Sequence, residues 1–225
     1  MKFIEIYQKN HNKFFDNIIL KKRLEMINIV NQLIIKNDIL DVLDIGTTSD
    51  NKNLSSNFVI KHLENAKIFK SISNQKISSN LFKKKLQKSI TEDLTLEEID
   101  SFSSDLVISN ATIEHVGSFQ NQKKMIENMI KLSKKMIIII TPNRYHPIEF
   151  HTKLPLIHWL NKKLHRQILE IINFSFLAKE SNLNLLSKKD FEKLAENQNI
   201  NYTFQYIKFL LFKSNLIFIG KKIVN

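Results

Sequence analysis

Short apolar segments alternate with longer amphipathic segments along this chain, and this alternation constrains its fold more than any other feature. Residues 18–36 and 119–134 repeat apolar side chains at steps of three and four, which predicts helices. Four bounded apolar runs have the length of strands buried on both faces of a parallel sheet: residues 39–45, 66–72, 105–110 and 136–140. Strands that alternate with helices in this way favour a parallel sheet with helices on both faces.

Weaker patterns add further elements. Residues 53–63 predict a helix, and residues 85–90 predict another strand. Ser187 and Asp190 have the spacing of a capping box, so we expect a helix to begin there. The apolar face of the first predicted helix consists of Leu20, Leu24, Ile27, Val30 and Ile34.

The end of the chain predicts a hairpin. Residues 202–212 and 215–223 are both strand-like, and Lys213 and Ser214 between them are expected to form the turn. This hairpin adds an antiparallel strand to the sheet. The fold class is therefore expected to be α/β, with a doubly wound and mostly parallel sheet.

The composition is that of a globular protein, and 225 residues are enough for one domain with a substantial core. We expect residues 1–225 to form a single domain, with N-terminal helices in residues 1–38 and an insertion at residues 143–186 that covers the substrate site. The chain has no cysteine, which excludes disulfides and thiolate metal sites. No apolar run reaches about 18 residues, so no transmembrane helix is predicted and a cytoplasmic protein is expected.

The formal net charge of +12 gives the chain a basic surface that attracts phosphate groups, nucleic acid or anionic membranes. The lysines, however, are spread along the whole length. They form neither an arginine-rich arm nor a basic stretch interleaved with aromatic residues. Nucleic acid is therefore not the favoured partner, and the sequence leaves the oligomeric state open.

The loop after the first predicted strand, GTTSD at residues 46–50, has the position of a ligand-binding loop. Parallel sheets bind ligands beyond the carboxyl ends of their strands. Gly46 permits a tight turn and a close approach to the backbone. The carboxylates of Asp44 and Asp50 disfavour a diphosphate and favour a cationic ligand with an amino-acid end. The alternative is an ordinary turn between a strand and a helix.

A second polar loop follows the strand predicted at residues 105–110. It carries Glu114 and His115, and His115 is able to act as a base near neutral pH. The alternative is that both residues cap the next helix or bond to each other.

A third loop begins after the strand predicted at residues 136–140 and holds all three prolines of the chain. Its conspicuous side chains are His146, His151, His158 and Trp159. A rigid loop dense in donors and aromatic rings suits substrate recognition. The histidines are separated by five and by seven residues, which is not the spacing of a metal site, so no metal is predicted.

Three of these segments together resemble the class I methyltransferases that use S-adenosylmethionine: VLDIG, DLVISNATIEHVG and IIIITPNR. The terminal SNLIFIGKK is similar to the family's antiparallel last strand. EHVG and TPNR are similar to the type 11 branch, which acts on small molecules and lipids, and the insertion resembles bacterial members found among surface-carbohydrate genes. The resemblance implies a Rossmann-like methyltransferase fold with a seven-stranded sheet and S-adenosylmethionine as the cofactor.

The resemblance also implies roles for individual residues. The first motif places the methionine part of the cofactor in its loop, Glu92 or Asp93 contacts the adenine, and Asn110 and Ala111 lie near the transferred methyl group. The expected cofactor contacts are Asp44, Gly46, Thr47, Thr48, Asp50, Glu92, Asp93, Asn110 and Ala111. The expected acceptor contacts are Asn143, Arg144, Tyr145 and His146. For the catalytic base we expect His115 first and His151 second.

Two features depart from the family pattern. Residues 47–49 stand where the family has further glycines. The second strand ends without the carboxylate that binds the ribose hydroxyls in the family. Replacing that charged acceptor by Ser73, Asn74 or Gln75 costs roughly 1–3 kcal/mol of binding free energy.

The leading hypothesis is methyl transfer from S-adenosylmethionine to an oxygen or nitrogen of a small or glycan-like acceptor. A second hypothesis is a methyltransferase-like protein that binds a partner through residues 143–186 without catalysis. A third, motivated by the charge, is an RNA methyltransferase, for which steeply salt-dependent RNA binding is expected.

Overall fold

The computed structural model describes residues 13–50, 53 and 56–223, and its centre is one seven-stranded sheet. The strands are β1 (Asp41–Ile45), β2 (Ile68–Ser73), β3 (Lys84–Gln87), β4 (Ser104–Asn110), β5 (Ser133–Pro142), β6 (Ile200–Phe209) and β7 (Phe212–Lys222). Their spatial order is β3-β2-β1-β4-β5-β7-β6, and β7 runs antiparallel to both of its neighbours. The predicted mostly parallel sheet with an antiparallel last strand is confirmed.

The order of strand addition reverses at β1. This strand pairs with β2 on one side and with β4 on the other, both in parallel. In open α/β sheets, ligands bind in the crevice at the carboxyl ends of the strands beside such a switch point. The loops that follow β1, β2 and β4 are therefore the ones that build the candidate site.

Helices and short turns connect the strands. They are α1 (Lys13–Lys36), α2 (Phe58–Lys61), α3 (Leu96–Phe102), α4 (Phe119–Leu132), α5 (Lys162–Ile171), α6 (Ser175–Ala178) and α7 (Lys188–Ala195), with 3-10 turns at Ile113–His115 and Ile157–Trp159. The predicted capping box is present, because Ser187 and Asp190 bond each other's backbone N–H at the start of α7. Within the described part of the chain, no helix is long and apolar enough to cross a membrane.

The core consists of two layers, one on each face of the sheet. Alternate residues of β1 and β4 face opposite layers: Leu43 and Val107 belong to one, and Val42 and Leu106 to the other. Side chains of α3, α4 and α7 pack on the first layer, whereas α1 and α2 pack on the second. This period of two explains why the buried strands read as continuous apolar runs.

The first predicted helix is confirmed in its position, but its apolar face was assigned wrongly at the N-terminal end. Ile27, Val30 and Ile34 are buried, as predicted, whereas Leu20 and Leu24 are 44% and 49% exposed. Spacing alone therefore overestimated the length of the buried stripe. The N-terminal region contains this one helix among its described residues, and residues 1–12 lie outside them.

The helix predicted at residues 53–63 is reduced to the single turn of α2. Asn57 has a left-handed backbone with φ of 55°, and the helix begins only after it. The side chain of Asn57 bonds the preceding loop instead of continuing a helix. Residues 54 and 55 of the predicted helix lie outside the described residues.

The hairpin exists, but its turn lies at Leu210 and Leu211 and not at Lys213 and Ser214. The pairing of β6 and β7 continues to Phe209 and Phe212. Leu210 has φ of 54°, which meets the need of a two-residue hairpin for a positive φ. Residue type predicted the wrong turn position, because the two turn residues are leucines, which are not typical of turns. Their side chains are 77% and 92% exposed.

The polar segment at residues 73–104 is more regular than its sequence indicated. The strand predicted at residues 85–90 is β3, which ends earlier, at Gln87. Helix α3 was not predicted, although Thr95 and Glu98 form a complete capping box at its start. The helix predicted at residues 119–134 ends at Leu132, because Ser133 already belongs to β5.

Candidate functional site

The turn after β1 depends on Gly46. Its φ of +87° lies in the left-handed region, which a residue with a side chain adopts only at a cost. Its amide donates to the carbonyl of Ile72 at 2.9 Å and ties the turn to β2. A Cβ at this position would lie 2.2 Å from the hydroxyl oxygen of Thr112. Gly46 therefore lets the loops after β1 and β4 pack directly against each other.

A buried hydrogen bond joins Thr47 to Asp44 beneath this turn. The Thr47 hydroxyl donates to Oδ2 of Asp44 at 2.6 Å, and the two residues are 2% and 8% exposed. Burial raises the pKa of Asp44 to about 6, and the bond from Thr47 opposes this effect only in part. A positively charged ligand near this carboxyl group would favour its charged form.

Side chains at the end of β2 hold the loop in place. The hydroxyl of Ser71 donates to the hydroxyl of Thr47 at 2.8 Å, and the hydroxyl of Ser73 donates to the Thr47 carbonyl at 2.6 Å. The side-chain oxygen of Gln75 accepts from the N–H and the hydroxyl of Ser49, at 2.9 and 2.8 Å. Hydroxyl and amide groups thus stabilise a loop that contains one glycine.

Thr48 and Asp50 organise the same loop from its other side. The N–H of Thr48 donates to the side-chain oxygen of Asn57, and the side-chain amide of Asn57 donates back to the carbonyl of Thr48, both at 2.9 Å. Asp50 accepts a hydrogen bond from the hydroxyl of Ser56 at 2.9 Å. Among the described residues, neither Thr48 nor Asp50 lines the adjacent cavity.

A cavity of about 360 Å³ opens at the carboxyl end of the sheet, beside β1 and β4. Its volume falls within the range of roughly 300–1,000 Å³ that is typical of small-molecule sites. Four segments line it: the loop after β1, the end of β2, residues 88–91 and the loop after β4. The first two segments contribute Gly46, Thr47, Ile72, Ser73, Asn74 and Gln75.

The third side of the cavity is formed by residues 89–91, next to the predicted adenine contacts. Glu92 accepts a hydrogen bond from the N–H of Ser89 at 3.2 Å, and Asp93 pairs with Lys124 at the surface. Neither acid lies among the described residues that line the cavity. The resemblance implied Glu92 or Asp93 as the adenine contact, whereas the turn after β3 places Ser89, Ile90 and Thr91 against the cavity.

The loop after β4 contributes Ala111, Thr112 and Val116 to the lining, whereas Asn110 is the last residue of β4 and lies outside it. Ala111 has φ of 52°, and its N–H donates to the carbonyl of Ile140 at 2.8 Å. A left-handed backbone at a residue with a side chain stores strain, and such strain clusters at ligand sites.

The two predicted bases, His115 and His151, meet at this end of the sheet. Their Nε2 atoms lie 3.2 Å apart, and the rings are nearly perpendicular. Nδ1 of His115 contacts the carbonyl of Asn182 at 2.6 Å, and Nδ1 of His151 contacts Oε1 of Glu149 at 2.6 Å. His115 also lines the cavity. The structure therefore joins two residues that are 36 positions apart in the sequence.

The charges around His151 stabilise each other. Burial disfavours both charged groups, but the hydrogen bond between them lowers the pKa of Glu149 to about 2. In the same way, burial opposes the protonated form of His151, yet its bond to Glu149 holds its pKa above the usual value. Glu149 also accepts from the N–H of Thr152 at 2.6 Å. Sequence analysis missed Glu149 because only the folded loop brings it under the imidazole.

Glu114 is a second acid that the sequence did not single out for a role. It is fully buried, and its Oε2 accepts a hydrogen bond from the hydroxyl of Thr141 at 2.8 Å. Its Oε1 is buried and has no hydrogen-bond partner within the part of the chain that the structure describes. One carboxylate oxygen of Glu114 lies within 4.8 Å of ring nitrogens of His115 and His151.

The predicted acceptor contacts, residues 143–146, have mainly structural partners. The side chain of Asn143 donates to the carbonyl of Lys213 at 2.8 Å. Arg144 donates to the carbonyls of His158 and Leu160, which orders the insertion. His146 is buried, with Nδ1 2.8 Å from the carbonyl of Ile148, and Tyr145 is 51% exposed.

No protein-family model matches the sequence, and no curated protein matches it significantly. Solved structures match over most of the chain. Magnesium protoporphyrin IX methyltransferase from Synechocystis PCC 6803 with bound SAH aligns with a TM-score of 0.60 and 10% identity, covering 97% of this chain and 91% of that one.

Two further solved structures align over similar lengths. The methyltransferase domain of bacterial CtHen1 gives a TM-score of 0.57 and 13% identity, over 89% of this chain and 98% of that one. N-methyltransferase NodS from Bradyrhizobium japonicum WM9 gives 0.55 and 10%, over 92% and 98% of the two chains. At these identities the similarity shows a shared fold.

Proposed function

We propose that this chain, which has the fold of the class I methyltransferases, transfers a methyl group from S-adenosylmethionine to an oxygen or nitrogen of a small or glycan-like acceptor. The observation that carries the proposal is the cavity at the switch point of the sheet, with His115 in its lining. We also propose that the protein acts in the cytoplasm.

The residues around the cavity fit this cofactor. Its cationic amino-acid end is accommodated by the loop at Gly46 and Thr47, above the buried carboxyl group of Asp44. The polar side chains of Asn74 and Gln75, at the end of β2, face the same cavity and offer hydrogen bonds to ribose hydroxyls. Ile72 and Ile90 give the lining an apolar part for an adenine ring.

The chemistry needs little from the protein beyond position and proton removal. Bound S-adenosylmethionine supplies a methyl carbon whose bond to sulfur breaks, with the electron pair kept by sulfur, as the acceptor oxygen or nitrogen bonds to it. Ala111 and Thr112 shape the wall next to His115. His115 is the group that activates the proton-bearing acceptor, and His151, held by Glu149, orients it.

The acceptor class is proposed from the insertion. Tyr145 and Trp159 are 51% and 43% exposed and follow β5, whose carboxyl end is at the same edge of the sheet as the cavity. Exposed aromatic faces beside a polar site are suited to sugar rings and other small ligands. The similar structures include a magnesium protoporphyrin IX methyltransferase and an N-methyltransferase, so the fold serves chemically different acceptors.

The first test is calorimetric titration of the purified full chain with S-adenosylmethionine and with S-adenosylhomocysteine. Micromolar binding of either ligand supports the proposal. Asn74 is an exposed residue of the lining, so Asn74→Trp is expected to fill the cavity mouth and to weaken binding at least tenfold. Gln120→Trp places the same ring at an exposed position of α4 and should leave binding unchanged.

Absence of binding up to millimolar ligand contradicts the proposal and favours a protein that keeps the fold but binds a partner instead. If binding is present and an acceptor is found, His115→Ala decides the catalytic assignment. Turnover within a factor of two of the unaltered chain would remove His115 from the mechanism.

A further inference from the structure

Three side chains from two distant parts of the chain converge beside the cavity. Glu114 and His115 follow β4, and His151 comes from the insertion after β5. One ring nitrogen of each histidine and one carboxylate oxygen of Glu114 lie within 4.8 Å of one another, and all three are atoms of the kind that bind metal ions. The group is half-buried or buried and belongs to the cavity wall through His115.

The partners of the two Nδ1 atoms determine which nitrogen of each imidazole carries the proton. Each Nδ1 faces an acceptor that has no proton to give: the carbonyl oxygen of Asn182 for His115 and the carboxylate of Glu149 for His151. Each Nδ1 must therefore carry the proton. Two neutral rings of this tautomer direct the lone pairs of their Nε2 atoms toward each other across 3.2 Å. This arrangement is repulsive unless a positive charge lies between the two nitrogens, and that charge is either a proton shared by the rings or a metal ion bound to both.

The distance between the two Nε2 atoms is consistent with one metal ion bound to both. Zinc binds imidazole nitrogen at about 2.0–2.1 Å, so two nitrogens on one ion are about 2.9 Å apart at a right angle and about 3.3 Å apart at a tetrahedral angle. The observed separation of 3.2 Å lies between these values. A metal-binding histidine also usually donates its other N–H to a carbonyl or a carboxylate. Both histidines have that partner already.

Glu114 supplies the third ligand. Its carboxylate is fully buried, and Oε1 has no hydrogen-bond partner among the described residues, while Thr141 donates to Oε2. A buried carboxylate oxygen without a partner is costly, and a cation beside it offsets that cost. Two histidines and one glutamate form a ligand set that catalytic zinc sites and other divalent transition-metal sites use.

We propose that Glu114, His115 and His151 bind one divalent transition-metal ion, with Thr141, Asn182 and Glu149 orienting the three ligands. Three protein ligands leave at least one coordination position for another molecule. The role of the ion rests on the proposed methyl transfer and would replace the role of His115 as a base: the ion would bind the acceptor hydroxyl and lower its pKa. The hydroxyl proton would leave to solvent, and the oxygen would bond to the methyl carbon as the bond from that carbon to sulfur breaks.

Metal binding is tested on the full chain without an affinity tag, after treatment with a chelator and exchange into chelator-free buffer. Titration with Zn2+ by calorimetry measures stoichiometry and affinity, and Co2+ absorption reports the ligand geometry. We expect one ion per chain. His151→Ala and Glu114→Gln are each expected to weaken Zn2+ binding by about a hundredfold or more, and Glu149→Gln by about tenfold to a hundredfold.

His62 provides the matched control, because it is an exposed histidine outside the cluster. His62→Ala should leave the affinity and the stoichiometry unchanged. Thermal unfolding shows whether each variant is folded, and His151→Gln replaces His151→Ala if the smaller side chain prevents folding. The proposal is overturned if no Zn2+ binds at millimolar concentration, or if binding is the same in the cluster variants as in the unaltered chain. In either case the two histidines share a proton and not a metal.

The test of metal binding is independent of the test of the proposed methyl transfer. S-adenosylhomocysteine is titrated into the same metal-free protein and into the Zn2+-loaded protein. Zn2+ binding without S-adenosylhomocysteine binding supports the metal site and contradicts the methyltransferase assignment. The reverse result leaves the methyltransferase assignment standing and removes the metal.

Discussion

Gly46 and Thr112 lie so close that a Cβ on Gly46 would sit 2.2 Å from the Thr112 hydroxyl oxygen. This contact joins the loops after β1 and β4, which both line the candidate cofactor cavity. The one glycine of the GTTSD loop is therefore needed for the close packing of these two loops.

Gly46→Ala should therefore destabilise the folded protein severely, through backbone strain and through steric overlap. The positive φ costs about 1–2 kcal/mol for alanine, and the overlap with Thr112 adds to it. Gly117 is the control, because its φ is +95° but the nearest atom to an added Cβ is 3.3 Å away. Urea unfolding should show a clearly larger loss of stability for Gly46→Ala than for Gly117→Ala. Equal losses would mean that the contact with Thr112 relaxes at no cost.

Asp44 should make the stability of the protein fall as pH rises. Its pKa in the folded chain is about 6 against an ordinary value of 3.8, so the folded state binds the proton more tightly. The stabilisation is complete below about pH 4 and is lost as pH passes through about 6, and it amounts to about 3 kcal/mol.

The measurement compares the unaltered chain with Asp44→Asn in urea unfolding between pH 4 and pH 7. The difference in unfolding free energy should shift in favour of Asp44→Asn as pH rises. Asp100→Asn, at an exposed position of α3, should track the unaltered chain. A difference that does not depend on pH would show that Asp44 titrates normally.

Position 74 should control the affinity for the cofactor. Asn74 lines the cavity at the end of β2, next to Ser73 and Gln75, which are engaged with the loop after β1. A carboxylate there accepts hydrogen bonds from ribose hydroxyls more strongly than an amide does. Asn74→Asp is expected to improve the dissociation constant of S-adenosylhomocysteine by about tenfold, which is about 1.4 kcal/mol. Asn74→Ala should weaken binding or leave it unchanged, and an equal gain in both variants would refute the ribose assignment.

The ion pair of Lys70 and Asp41 joins β1 and β2 inside the structure, with an N–O distance of 2.9 Å and side chains only 10% and 15% exposed. Lys70→Met leaves a buried carboxylate without its partner and is expected to cost about 3–5 kcal/mol of stability. Lys124→Met breaks an exposed pair with Asp93 and should cost far less stability, because solvent screens that pair. Chemical denaturation of both variants and of Asp41→Leu/Lys70→Met checks this. The double variant should recover most of the loss, because it leaves no unpaired charge.

The local parts of the site were accessible from the sequence. Strands β1, β4 and β5 are apolar runs, so their carboxyl ends and the loops that follow could be located in advance. Gly46, Thr47, Ala111 and His115 lie in the cavity wall for that reason. Glu92 and Asp93 lie next to the cavity lining and not in it, because the path of a polar turn is not encoded in apolar periodicity.

By itself, the sequence determined the order and type of the main elements and hence the doubly wound sheet, because periodicity reflects burial along one segment at a time. Only the tertiary structure decided which distant side chains meet. The contact of His115 with His151, the support from Glu149 and the buried oxygen of Glu114 depend on how the insertion after β5 folds back. The contact of the two histidines joins residues 36 positions apart, and no spacing within either segment specifies it.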